Sequence, residues 1–143
     1  MSAEENKTLV RRFYDEVFNK KNLSVIDDFL DSHIIEHALP PGLPGGIEGS
    51  RQFIGMYLAA FPDLHLTAED MIEEGDRVAA RLTMRGTHKG EFMGIPPTNK
   101  QVSITGIQVL RVASGRIAEN WINLDALGLL QQLGVVPPPG HVS

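Results

Sequence analysis

The sequence predicts one α+β domain, with helices packed on a curved antiparallel sheet and a short helix closing the chain. Three observations lead there. Apolar residues recur at helical spacing through the N-terminal third, the period drops to two after Pro62, and a last helical stretch ends at Gly134 before a run of prolines. With 143 residues, 42% apolar and 22% charged, the chain has the size and composition of a single globular domain. Residues 1–143 read as that domain, with order expected over roughly 4–136.

From Glu4 to Asn19, Leu9, Val10, Phe13, Val17 and Phe18 fall on one stripe, and Arg11, Arg12, Asp15 and Glu16 lie largely outside it. Glu4 and Glu5 stand near the start, where the helix dipole favours negative charge. A shorter helix is expected over Ser24–Leu30: Ser24 and Asp27 resemble a capping box, and Ile26, Phe29 and Leu30 supply the buried side. Prolines and glycines across Ala38–Gly46 rule out a helix or central strand there and predict an ordered loop. A third helix is expected from about Ser50 to Phe61, with Phe53, Tyr57, Ala60 and Phe61 on its apolar side, ended by Pro62.

The strands follow. His65–Glu74 and Arg77–His88 flank a Gly75–Asp76 turn, and Val78, Ala80, Leu82 and Met84 alternate with Arg77, Arg81, Thr83 and Arg85. Lys89–Lys100 is a loop. Gln101–Val112 carries Val102, Ile104, Leu110 and Val112 on one face, and the turn at Ala113–Gly115 leads into a last strand from Arg116 to about Asn123. A helix over Asp125–Leu133 is stopped by Gly134 and Pro137–Pro139, and the tail Gly140–Ser143 is expected to be loose. The space between helices and sheet is where a ligand would sit.

Composition narrows the function. The net charge is −5 and the 13 basic residues are scattered, which disfavours nucleic acid and anionic membrane surfaces as partners. There is no cysteine, so neither a thiolate nucleophile nor a cysteine-held metal is available. No apolar run approaches the roughly 18 residues of a membrane span, and the charged first twenty residues do not read as a signal peptide; a cytoplasmic protein is expected. Phosphate-cradling glycine motifs are absent.

Two stretches carry a family resemblance: Gly86-Thr87-His88-x-Gly90 with Pro96-Pro97-Thr98, and Glu119-x-Trp121-x3-Asp125-x2-Gly128-Leu129-Leu130-x-Gln132-Leu133-Gly134. With them, roughly Leu9 to Leu133 resembles the SnoaL-like polyketide cyclases (ester cyclases), within the cone-shaped α+β barrel fold of nuclear transport factor 2 and ketosteroid isomerase. The resemblance implies closure of a polyketide ring by an intramolecular aldol reaction, without metal or coenzyme. It places the family's aspartate acid/base at Asp125. The family's carbonyl-holding histidine falls at Gln108, a departure, since glutamine donates a hydrogen bond but is not a comparable acid.

The residues themselves offer these candidates. Asp125 among apolar neighbours would be a strengthened base, or simply the cap of the helix it begins. Gln108 shares a face with Ile104 and Leu110 and needs a partner, from a ligand carbonyl or from the protein. His88 and His37 could share acid/base work at the mouth, or be fixed by structural hydrogen bonds. Glu119 and Trp121 share strand parity with Ile117 and Asn123; they form a buried acid and an aromatic wall if that side faces the pocket, and otherwise a sheet-margin carboxylate and a core ring. Phe53, Tyr57, Met56, Met84 and Met93 are candidates to surround a flat apolar ligand or to pack the core. His33-Ile34-Ile35-Glu36-His37 matches an H-x-x-E-H zinc pattern, but β-branched residues and the prolines that follow deny it the continuous helix that such a site needs, so no metal is assigned.

Three functions fit this reading. The first is a coenzyme-free cyclase or isomerase acting beside a carbonyl, on a small apolar or aromatic carbonyl-containing molecule, with Asp125 as base and Gln108 or His88 steadying the enolate. The second is a non-catalytic binder of an apolar metabolite, and the third an interaction module with a vestigial cavity. A homodimer or tetramer through an outer sheet face of Thr83, Thr105, Ile107, Val109 and Ile122 is compatible with all three.

Overall fold

Helix α1 (Ala3–Phe13) starts at a capping box, in which the Ser2 hydroxyl accepts from the Glu5 N–H and the Glu5 carboxylate accepts from the Ser2 N–H. The computed structural model describes residues 2–137; the expected loose tail and Pro138–Pro139 lie outside them. The helix does not continue as α-helix to Asn19, because Tyr14–Asn19 widens into a π-helical turn. Asn19 ends that turn by pairing with the next layer: its side chain donates to the Leu66 carbonyl (3.0 Å) and accepts from the Leu66 N–H (2.7 Å).

The expected helix over Ser24–Leu30 is instead a 3-10 stretch, Leu23–Asp28, with no side-chain cap. The Ser24 hydroxyl turns to Asn22 Oδ1, so the capping box does not form. From Leu30 the chain becomes a strand that alternation had not revealed, β1 (Leu30–Glu36). Its inward residues Leu30 and Ile34 are buried and Ile35 faces solvent. His33 and His37 therefore stand on and just beyond a strand, not on one helical face. Helix α2 (Gly46–Ala60) begins four residues earlier than expected and ends before Pro62.

Strands β2 (His65–Glu74), β3 (Arg77–Thr87), β4 (Gln101–Ala113) and β5 (Arg116–Leu124) form the antiparallel meander that the alternation predicts. The sheet order is β1-β5-β4-β3-β2, and β1 lies parallel to β5, so the sheet is mixed. Val78, Ala80, Leu82 and Met84 face the core, as do Val102, Ile104, Leu110 and Val112. They meet Val10, Val17 and Ile26 from the helical side, all fully buried. Each of these side chains larger than alanine contributes about 2 kcal/mol.

Two one-residue bulges bend the sheet, at Glu69 in β2 and at Ala118 in β5. The loop between β3 and β4 is pinned at its root, where the Lys89 and Gly90 N–H groups donate to the Ala60 carbonyl (3.0 and 3.1 Å). A side chain at Gly90 would run into the Ala59 carbonyl oxygen, so glycine is required there. At the loop tip Met93 and Gly94 turn the chain with positive φ, and Met93 is 62% exposed, away from any core or ligand role. Helix α3 (Ala126–Leu133) ends at Gly134, whose φ of 84° makes it the left-handed cap. Among the described residues no helix is long and apolar enough to cross a membrane.

Candidate functional site

The concave face of the sheet and the helices enclose a hollow. Phe13 and Phe18 close it from α1 and the π turn, Phe53, Ile54 and Tyr57 from α2, and Leu30, Ile34 and Glu36 from β1. The sheet contributes inward side chains of β2 to β5. The hollow is narrow, and with its open mouth contains about 680 Å³ not occupied by atoms. Its surface is overwhelmingly apolar, the setting in which a few placed polar groups decide orientation.

Those polar groups are joined. The Tyr14 hydroxyl donates to Gln108 Oε1 (2.5 Å), Gln108 Nε2 to Asn120 Oδ1 (2.6 Å), and Asn120 Nδ2 to Glu36 Oε1 (2.6 Å). The Ser50 hydroxyl donates to the other Glu36 oxygen (2.5 Å). Five elements each supply a member: the π turn Tyr14, β4 Gln108, β5 Asn120, β1 Glu36 and α2 Ser50. Removal from water pushes the Glu36 carboxyl above the usual carboxylate range, opposed by the hydrogen bonds from Ser50 and Asn120 and by His37. Burial likewise pushes the Tyr57 hydroxyl up.

Of the residues singled out from sequence, Gln108, Met84, Phe53 and Tyr57 line this hollow. Gln108 is buried, and its partners are Tyr14 and Asn120. His88 points inward and is fully buried, but it is not at the mouth. Its Nδ1 accepts from the Thr98 N–H (3.2 Å) and meets the Thr98 hydroxyl (3.0 Å), holding the two ends of the β3–β4 loop together. Asp125 is exposed. It is the N-cap of α3, with Oδ1 accepting from the Gly128 N–H (2.9 Å), and it borders a shallow surface depression beside Arg81 and Ile107 rather than the hollow.

His37, Glu119 and Trp121 lie together on the outer side. The His37 ring stacks on Trp121 (centroids 4.8 Å apart), His37 Nε2 meets Glu119 Oε2 at 2.6 Å, and Arg111 Nε donates to Glu119 Oε1 at 2.9 Å. Arg77 covers the Trp121 ring. His37 and Arg111 hold the Glu119 carboxyl below the usual range. The cause of this placement is the bulge at Ala118. Ile117 pairs with Val112, but the next pair is Glu119 with Arg111, so the parity of β5 reverses. Asn120, Ile122 and Leu124 then face the hollow, Trp121 does not, and Ile122 does not belong to the outer face.

Asn120, Tyr14 and Ser50 were not singled out from sequence, and Glu36 entered only as the acid of the dismissed H-x-x-E-H match. The spacing of Leu30, Ile34 and Glu36 is the one signal that places Glu36 on an inward face. Among the described residues no group of three or more His, Asp or Glu side chains is assembled to hold a metal.

Comparison with known proteins follows the same lines. The family model for SnoaL-like polyketide cyclases matches residues 8–133. The nogalonic acid methyl ester cyclase of Streptomyces nogalater is 32% identical over 108 residues, covering 75% of this chain and 78% of its own. The aklanonic acid methyl ester cyclase DauD of Streptomyces sp. (strain C5) is 29% identical over 133 residues, covering 88% and 80%. The solved structure of TsrD from Streptomyces laurentii superposes with a TM-score of 0.87 at 29% identity, covering 95% of this chain and 99% of that one.

Proposed function

This chain belongs to the SnoaL-like polyketide cyclase family, and we propose that it closes a ring in a small apolar carbonyl compound, with Glu36 as the proton acceptor. The observation that carries this reading is a half-buried carboxyl, its affinity for protons raised, set in the wall of an otherwise apolar hollow. A base of that kind is matched to removing a proton from carbon beside a carbonyl.

In the proposed reaction the Glu36 carboxylate takes that proton and the electron pair moves onto the carbonyl oxygen, giving an enolate. The amide groups of Gln108 and Asn120 each have two N–H bonds, and the chain uses one of each. Their second N–H groups are the donors for the enolate oxygen, stabilising charge as it develops. The enolate carbon then attacks a second carbonyl of the same molecule. A carbon–carbon bond forms, and the new alkoxide takes back the proton from Glu36. No redox step or coenzyme enters this scheme.

The acid/base role expected of Asp125 passes to Glu36 in this reading, because the Asp125 carboxylate is exposed and engaged in capping α3. The test uses nogalonic acid methyl ester, the compound for which the S. nogalater relative is named, and follows both ring closure and exchange of the carbon-bound proton in deuterated water. Glu36→Gln is expected to lose both activities and Asp125→Asn to keep them. A Glu36→Gln protein as active as the wild type would end this reading.

A homodimer through the outer sheet face is part of the same proposal. Ile72 and Ile107 there are 71% and 50% exposed, beside the cross-strand pair Val109 and Trp121. An apolar patch of this kind, rimmed by Arg81, Asp70 and Arg77, suits self-association.

A further inference from the structure

The chain of hydrogen bonds from Tyr14 to Glu36 has a direction, and the identity of its two ends fixes it. An ionised carboxylate only accepts, so Asn120 has to offer Glu36 its Nδ2 and turn Oδ1 to Gln108. Gln108 in turn has to offer Nε2 and leave Oε1 for Tyr14. The arrangement closes only if the last member can donate, and the tyrosine hydroxyl does. We infer that Tyr14 is a positioning residue: its hydroxyl fixes the direction of the whole chain, so that both amides keep an N–H turned towards Glu36. The inference rests on the reading of Glu36 as the base.

The opposite direction is chemically allowed for a protonated Glu36. The carboxylic acid would donate to Asn120 Oδ1, Asn120 to Gln108 Oε1, and Gln108 Nε2 would point at the tyrosine oxygen. Tyr14 opposes that reversal. It is almost fully buried, and among the described residues Gln108 Oε1 is the acceptor its hydroxyl reaches. Reversal would leave a buried O–H without a partner, which disfavours the reversed state. Burial also pushes the Tyr14 hydroxyl far above its ordinary value, so it remains a donor throughout the working pH range.

With phenylalanine at 14 this bias disappears. Gln108 then has one unpaired group whichever way it lies, and the reversed chain, which favours protonated Glu36, costs no more than the forward one. Of the groups acting on Glu36, only Asn120 from β5 changes with the direction of the chain; Ser50 from α2 and His37, its neighbour in sequence, are unchanged. Tyr14, three hydrogen bonds away from the carboxyl, would thus govern its proton affinity.

The experiment is a carboxyl ¹³C NMR titration of Glu36 in the full chain, with thermal unfolding measured in parallel. Tyr14→Phe is expected to raise the Glu36 midpoint by about one pH unit. Gln108→Met, which breaks the chain one step later, should raise it likewise, and adding Tyr14→Phe to that variant should raise it no further. A Tyr14→Phe protein that loses stability but titrates like the wild type would show a merely structural tyrosine and overturn the inference. If Tyr14→Phe does not fold, the Gln108→Met titration decides, and an unmoved midpoint there overturns it too. Failure of the underlying reading would show elsewhere, as proton exchange that survives Glu36→Gln.

Discussion

Glu36 and Asn120 are register partners across the parallel β1–β5 pair, and the Asn120 amide donates to the Glu36 carboxylate at 2.6 Å. The strand pairing itself therefore sets base and donor side by side.

Asn120→Ala should cripple the site without emptying it. One donor to the carboxylate and one to the enolate oxygen go together, and loss of a single such donor costs about 10²- to 10³-fold in turnover. Glu36 loses a hydrogen bond that favours its ionised form, so the rising limb of the pH–rate profile should move to higher pH. A rate profile superimposable on the wild type would count against the assignment.

The pH dependence of stability has a definite sign. Glu36 binds its proton more tightly folded than unfolded, because burial raises its proton affinity. Its contribution is complete below the ordinary carboxylate value and is lost as pH rises through the higher folded value. Asp63 does the reverse. The Thr87 N–H and hydroxyl both donate to it at 2.7 Å and hold its carboxyl below the usual range. Its contribution is present above the ordinary value and is lost as pH falls through the lower folded one. Urea unfolding of Glu36→Gln and Asp63→Asn across acid pH should separate the two, the first flattening the loss towards neutral pH and the second the loss towards acid.

Asp125→Ala tests capping against chemistry. Loss of the N-cap should cost about 1 kcal/mol of stability and leave turnover unchanged. A large fall in turnover with stability intact would return the base to Asp125.

Ile107→Arg places a charge in the exposed apolar patch of the outer face. Sedimentation should show the wild type as a dimer and the variant as a monomer. A monomeric wild type would remove the proposed interface.

The meander was legible because its alternation is clean and tight turns at Gly75–Asp76 and Ser114–Gly115 join β2 to β3 and β4 to β5. Val78 to Met84 and Val102 to Ile104 fall inward as the pattern requires. Strand β1 was not legible: Ile34 and Ile35 are adjacent, only one of them is buried, and a parallel partner 84 residues away leaves no turn in the sequence to announce it. The outward placement of Trp121 and Glu119 was hidden for another reason, since a bulge carries no fixed sequence mark and one extra residue at Ala118 reverses every later side chain. Gln108 was visible as a polar residue on an apolar face, while its partners Tyr14, Asn120 and Glu36 come from segments that only the fold brings together.

The parallel β1–β5 pairing also has a consequence for how the protein becomes active. Strands β2 to β5 can zip up between neighbours along the chain, whereas Glu36 meets Asn120 across 84 positions and Tyr14 meets Gln108 across 94. Closing loops of that span is slow compared with forming hairpins. On dilution from denaturant, sheet signal should return first and ring-closing activity later, when the N-terminal segment docks along the last strand.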